Sequence, residues 1–355
     1  MFVLVRPFSA LPAAAALSLA LCLAATACRS KERPAAAPTG PNQLETLELR
    51  YQGQNSVVSY AELAEDLGYL APIKLTWVGN TISGPQDIQT VATGDIDFGG
   101  AFNGAIIKLV AAKAPIRAVV SYYGIDELTW TGFFVKEDSP IRTPRDFIGK
   151  RVAMNTLGAH TEFVLREYLM RGGLTPQEIQ QVTMLVVPPI NGEQALRQDQ
   201  LEASAMLGIF RDKALERGGL RLVFSDHDLF GTFSAGSLVF SHKKLREWPN
   251  SIRKFVEATG RAIEWARAQP VAVVRQRMAA IITKRGRGED PSLVQHWKST
   301  GISQPGGRIA DSEFQVWIDW LVKDGSLKPG QVSKRDLYTN EFNAYGKAPE
   351  ARLDP

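Results

Sequence analysis

The chain has 355 residues, 45% hydrophobic and 22% charged, a globular composition long enough for two domains or two lobes of one unit. Its net charge of +4 comes from 41 basic and 37 acidic residues, too even a mixture to point to nucleic acid. The two cysteines, Cys22 and Cys28, both lie near the N-terminus, and the four histidines are widely spaced, so the body offers no disulfide framework, thiolate metal site or histidine ligand pair.

Residues 1–28 read as an export signal: Arg6, an apolar run from Leu11 to Ala25, then small residues before Cys28. Ala25-Thr26-Ala27-Cys28 resembles a bacterial lipobox, in which Cys28 is acylated and becomes the first mature residue. A plain secretory signal cut near Ala27 is the alternative. Residues 29–43 contain Pro34, Pro38 and Pro41 and read as a disordered tether.

The folded body is expected to begin near Leu44. Leu47 to Tyr51 alternates as a strand does, followed by a polar loop containing Gln54 and Asn55. Tyr60, Leu63 and Leu67 predict a helix ending at Gly68. A strand over Ile73 to Val78 leads to the small loop Gly79 to Gly84, which includes Ser83. Helical residues Ile88, Val91 and Ala92 come next, then a strand running into Ala101, Phe102 and Asn103. A helix over Ala105 to Ala112 and a strand from Ile116 to Tyr122, with Tyr123 at its end, complete this unit. Asp95 and Asp97 flank a strand start and read as structural.

Phe133 to Val135 is a solitary strand leaving the unit. The βα rhythm restarts with Val152 to Met154, the turn Asn155-Thr156-Leu157-Gly158, and a helix from about Gly158 through Ala159 and His160. A strand that stops in a small-residue turn and opens a helix directs unpaired amides at one spot, which suits an anion. Thr175-Pro176-Gln177-Glu178 is a capping box with proline at the first helical position. Strands at Met184–Val187, Ala203–Leu207 and Leu220–Phe224 follow, with a helix over Glu193–Gln198. Gly208 and Phe210 stand beyond the Ala203 strand. Gly236 to Phe240 is a second solitary strand. The remainder is helical, with Trp248, Trp265 and Trp317 at core spacing. Lys284-Arg285-Gly286-Arg287 is expected to be a solvated basic loop.

Alternating strands and helices predict an α/β fold with mostly parallel sheets covered by helices. Three stretches resemble the substrate-binding proteins of ABC importers for sulfonates, taurine, nitrate and thiamine precursors, a family of the periplasmic-binding-protein type 2 fold. They are Gly84-Pro85-Gln86-Asp87 through Gly99, Asp138 to Ile141 with Asp146 to Ala153, and Thr156 to His160, the last being similar to the sulfonate branch.

That resemblance implies two lobes joined by two hinge strands, with the solitary strands at Phe133 and Leu238 fitting the crossovers. The expected division is 44–138 for the first part of lobe 1, 139–236 for lobe 2, and 237–355 for the rest of lobe 1 with the C-terminal helices. The resemblance implies no catalysis, cofactor or metal. It implies a small anionic ligand, an ABC permease with its ATPase, a monomer, and a place in the periplasm or at the cell surface. The expected ligand-binding residues are Gln54, Asn55, Ser83, Ala101, Phe102, Asn103, Tyr122, Tyr123, Asn155, Thr156, Gly158, Ala159, His160, Gly208 and Phe210. The apolar run Ala203 to Phe210 departs from the sulfonate pattern and favours a ligand with an apolar body. A thiamine-precursor or nitrate binder, an enzyme and a ligand sensor are the alternatives; the absence of cysteine beyond Cys28 disfavours the thiamine-precursor-synthesising branch.

Overall fold

The computed structural model describes residues 43–346. In β1 (Glu48–Gly53), Leu49 and Tyr51 turn into the core while the alternate side chains face out. The next helix, Tyr60–Asp66, starts on a capping box: the Ser59 hydroxyl accepts from the Glu62 amide, and the Glu62 carboxylate accepts from the Ser59 amide. β2 (Lys74–Asn80) pairs in parallel with β1. Helix Gly84–Thr93 begins at Ser83 and stops at Gly94, whose φ of 89° suits a residue without a Cβ. β3 (Phe98–Phe102) is buried throughout and passes directly into helix Asn103–Ala111. The remaining strands are β4 (Ile116–Ile125), β5 (Thr131–Lys136), β6 (Arg151–Met154), β7 (Thr183–Val186), β8 (Ala203–Leu207), β9 (Leu220–Ser225) and β10 (Phe233–Ser241).

Two larger sheets result, with orders β3-β10-β4 and β7-β6-β8-β5-β9. β10 runs antiparallel to β3 and β4, and β5 runs antiparallel to β8 and β9, whereas β6 is parallel to β7 and β8. Each sheet therefore has a single reversed strand, which is the strand by which the chain arrives from the other sheet. The solitary strands at Phe133 and Leu238 are these two. The crossings themselves are the short segments 126–130 and 226–232, so β5 belongs to the second sheet although it precedes position 138.

Helices cover the sheets as the alternation requires. Leu63, Phe255, Ile263 and Val274 pack on Leu49, Phe98 and Phe240. Phe314 and Trp317, from helix Asp311–Lys323, pack on Phe102, Ile106 and Val239. Leu165 and Leu169, from helix His160–Arg171, pack on Phe133, Val152 and Phe224. The start of the described residues is tied down where Glu45 accepts from the Asn250 and Ser251 amides, a carboxylate at the positive end of helix Pro249–Ala268. Asp97 is structural, as its place at a strand start indicated. Burial would raise its carboxyl, but the bonds from Arg50 and Lys244 outweigh that and hold it below the usual range.

The basic segment Lys284–Arg287 differs from expectation. The Arg285 and Arg287 side chains are only 8% and 10% exposed. Arg285 donates to Glu62, Glu289 and the Val57 carbonyl; Arg287 donates to the Tyr51 hydroxyl and to Glu62. Guanidinium can be buried when its fork is matched by carboxylates in this way. The export signal, Cys28 and the tether up to Asn42 lie outside the described residues. Among the described residues no helix is long and apolar enough to cross a membrane.

Candidate functional site

In open α/β sheets, the crevice beyond the carboxyl ends of the strands is where backbone amides and loop side chains are free to meet a ligand. Here the ends of β3 and β4 and the turn after β6 converge on His160. This residue opens helix His160–Arg171 and is 5% exposed. Its ring stacks on Phe102, with centroids 5.0 Å apart and planes 8° apart, and meets Phe233 edge-on at 6.0 Å. Tyr123 lies 6.2 Å away. Its Nε2 is 3.2 Å from Asp226 Oδ2, at an angle outside hydrogen-bond geometry, and neither atom has another partner among the described residues. The other Asp226 oxygen accepts from the Thr131 amide at 2.9 Å. One carboxylate, fully buried, thus links the second crossing to the start of β5 and to the candidate site.

The turn itself holds less open anion-binding capacity than its sequence indicated. The Gly158 amide donates to Glu162 Oε2 at 2.6 Å, and Arg166 holds the same carboxylate through its other oxygen. Gly158 is therefore corrected: its donor is already matched by an acid one helical turn on. The His160 imidazole is turned toward Asp226 through its Nε2, while its backbone amide stays among the uncapped first amides of the helix. Helix His160–Arg171 has no side-chain cap on its first amides. Asn155 accepts from the Thr161 hydroxyl at 2.9 Å, and the Thr156 hydroxyl reaches the Leu157 carbonyl at 3.4 Å. Lys108 faces the turn: a Cβ placed on Gly158 would stand 3.7 Å from its Nζ. Nothing in the sequence distinguishes Lys108 from other exposed lysines.

The end of β3 is built on small residues. A Cβ at Gly99 would lie 2.7 Å from Asp87 Oδ2, and one at Gly100 would lie 2.6 Å from Tyr122 Cζ. Asp87 accepts from the Gly100 amide at 2.7 Å, while its Oδ1 is buried without a partner. Burial pushes this carboxyl up to about 7, against the opposing effect of the Gly100 bond. As an acid in the first turn of a helix, Asp87 looks ordinary in sequence, and its burial was not legible there. Tyr122 and Tyr123 are half-buried and meet edge-to-face at 5.0 Å. Burial raises both phenols, with the Asp87 charge adding to the effect at Tyr122 and Asp226 among those adding at Tyr123.

The remaining expected residues divide in two. Ser83 caps helix Gly84–Thr93, and Ala101 is buried within β3. Asn103 is corrected: fully buried, its amide donates to the Glu313 carbonyl and accepts from the Ser237 hydroxyl, so it ties its helix to helix Asp311–Lys323 and to β10 rather than facing a crevice. Gln54 and Asn55 are exposed in the loop after β1. Gly208 and Phe210 are half-buried in the first turn of helix Gly208–Glu216, beside Arg211. Arg211 is buried against Trp130 at 3.9 Å and donates to the Trp130 and Leu128 carbonyls, clamping the first crossing.

No curated protein matches the chain in sequence. Among solved structures, the alkanesulfonate-binding protein SsuA from Xanthomonas axonopodis pv. citri bound to MOPS is 22% identical, with a TM-score of 0.65 over 84% of this chain and 99% of that one. The periplasmic nitrate-binding protein NrtA from Synechocystis PCC 6803 is 14% identical, with a TM-score of 0.65 over 85% and 88%. The desulfurization enzyme DSZB is 17% identical, with a TM-score of 0.55 over 84% and 97%. At these identities the likeness establishes the fold, that of periplasmic binding proteins. In sequence, the family described as NMT1/THI5 like matches residues 63–273, more than half of the 355. The chain belongs to the NMT1/THI5-like family.

Proposed function

We propose that this protein is an extracytoplasmic solute-binding protein of an ABC importer. It captures a small organic ligand where the two larger sheets meet and delivers it to a permease with its ATPase. One observation carries the reading: residues at the carboxyl ends of strands in both sheets converge on a single buried spot, with Phe102 and His160 stacked 5.0 Å apart. An enzyme would need a nucleophile or acid–base pair open to substrate, whereas the ionisable pair here, His160 and Asp226, is enclosed by aromatic rings.

The ligand we propose is a small anion with an apolar body, a sulfonate or related organosulfur compound. The uncapped first turn at His160, Lys108 opposite Gly158, and the aromatic walls support this. So does the likeness to a sulfonate-binding protein holding MOPS. A second reading, a ligand that donates hydrogen bonds as a thiamine precursor does, is favoured by the unpartnered oxygens of Asp87 and Asp226. A thermal-shift panel of sulfonates, sulfate esters, nitrate and thiamine precursors decides between them, because a true ligand raises Tm by mass action. A rise with sulfonates alone supports the first reading, a rise with amine-bearing heterocycles alone replaces it with the second, and no rise with any member overturns both. We also propose that Cys28 carries a lipid anchor. Labelling with a palmitate analogue should be lost in Cys28→Ala.

A further inference from the structure

The loop between β1 and helix Tyr60–Asp66 contains a backbone strain point. Ser56 has φ of 58°, in the left-handed region that a side chain disfavours by about 1–2 kcal/mol. It follows Gln54 and Asn55, the exposed residues at the carboxyl end of β1. Such a conformation persists only where its surroundings over-determine it. The surroundings come from Arg285, Glu289 and Asp290, in and just beyond the basic segment Lys284–Arg287. The Ser56 amide donates to Glu289 Oε1 at 2.8 Å, and the Asp290 amide donates to the Ser56 hydroxyl at 3.1 Å. Arg285 grips both Glu289 oxygens through Nε and Nη2, and its Nη1 donates to the Val57 carbonyl at 3.1 Å. The Glu289 side chain is fully buried.

We infer that Glu289, fixed by Arg285, is the positioning residue of the Gln54–Ser56 loop, holding Ser56 left-handed so that Gln54 and Asn55 face the crevice in one arrangement. The inference rests on the proposed ligand crevice for its functional meaning, but the loop's conformation is measurable without any ligand. A carboxylate accepting the strained residue's own amide acts on that conformation directly. The charge needed to bury the carboxylate arrives from Arg285, the last residue of helix Val271–Arg285.

The test is hydrogen exchange, followed by mass spectrometry, of the ligand-free full chain and its Glu289→Gln and Glu289→Ala variants. Loss of a bond to a buried charged group should raise exchange over residues 54–57 about tenfold in Glu289→Ala. The effect should be smaller in Glu289→Gln, which keeps an acceptor for the Ser56 amide, while β3 and β6 exchange as in the parent. Glu289→Gln stands alone if Glu289→Ala does not fold. Exchange over 54–57 that is unchanged, or that rises only together with every strand, overturns the inference and reduces Glu289 to a general stabilising role. Affinity for MOPS, measured on the same proteins, tests the crevice separately. Loosened loops with parental MOPS affinity would remove this loop from the site while leaving its positioning by Glu289 intact.

Discussion

Asp87 and Asp226 are the two residues on which the candidate site's electrostatics turn. Burial raises the folded-state pKa of Asp87 from an ordinary 3.8 to about 7, so the folded protein holds a proton that the unfolded chain has released. Its contribution therefore falls as pH rises through that window and levels off above it. Between about pH 5 and about pH 8 the parent should lose up to about 3 kcal/mol more than Asp87→Asn. Urea unfolding at the two pH values measures this, and equal losses in both proteins would contradict it. Asp226 is coupled to His160 instead. His160→Leu removes the imidazole whose Nε2 faces the buried Asp226 Oδ2 at 3.2 Å and should cost about 3 kcal/mol in denaturant unfolding. His160→Leu combined with Asp226→Asn should cost less than the sum of the two single changes. Strict additivity would mean that the two side chains do not interact.

At the scale of elements, much was legible because local signals sufficed. The Thr175–Glu178 capping box forms as written, and the strand over Ala203–Leu207 has the expected limits. Partner choice was not legible, because periodicity reports which face is buried but not what covers it. Phe133 read correctly as strand, yet nothing nearby shows that its neighbours are Ala205 and Phe224. Likewise Arg285 showed its charge, while its carboxylate partner Glu62 stands 223 residues away in sequence. At Thr156–His160 the expected strand, turn and helix form, but the Gly158 amide is already matched because Glu162 lies on the helix face that reaches back to it. Helix Asp311–Lys323 supplies a further test. Trp317 is fully buried and touches Phe102 and Phe233 of the β3-β10-β4 sheet, Phe163 of helix His160–Arg171 and Phe230 of the second crossing. Trp317→Ala should cost about 3–5 kcal/mol of unfolding free energy. A loss below about 1 kcal/mol would show that this junction is loosely packed.

For the whole molecule, the two crossings at 126–130 and 226–232 join the two larger sheets, and ligand binding is expected to rotate one sheet toward the other about them. Both are tied: the first by Arg211, and the second to the start of β5 through Asp226 and Thr131. Trp320 also donates across to Glu167 at 3.1 Å. Small-angle scattering with a saturating binder from the thermal-shift panel should give a smaller radius of gyration than the free protein. An unchanged radius, with binding confirmed, would indicate a rigid crevice. The central claim, that ligand sits between the carboxyl ends of strands from both sheets, is tested most directly by a hydrogen-exchange footprint of that same binder. The account predicts protection over both Gly100–Asn103 and Asn155–Thr161 in the bound protein. Protection confined to one of these segments, or found only elsewhere on the chain, would contradict it.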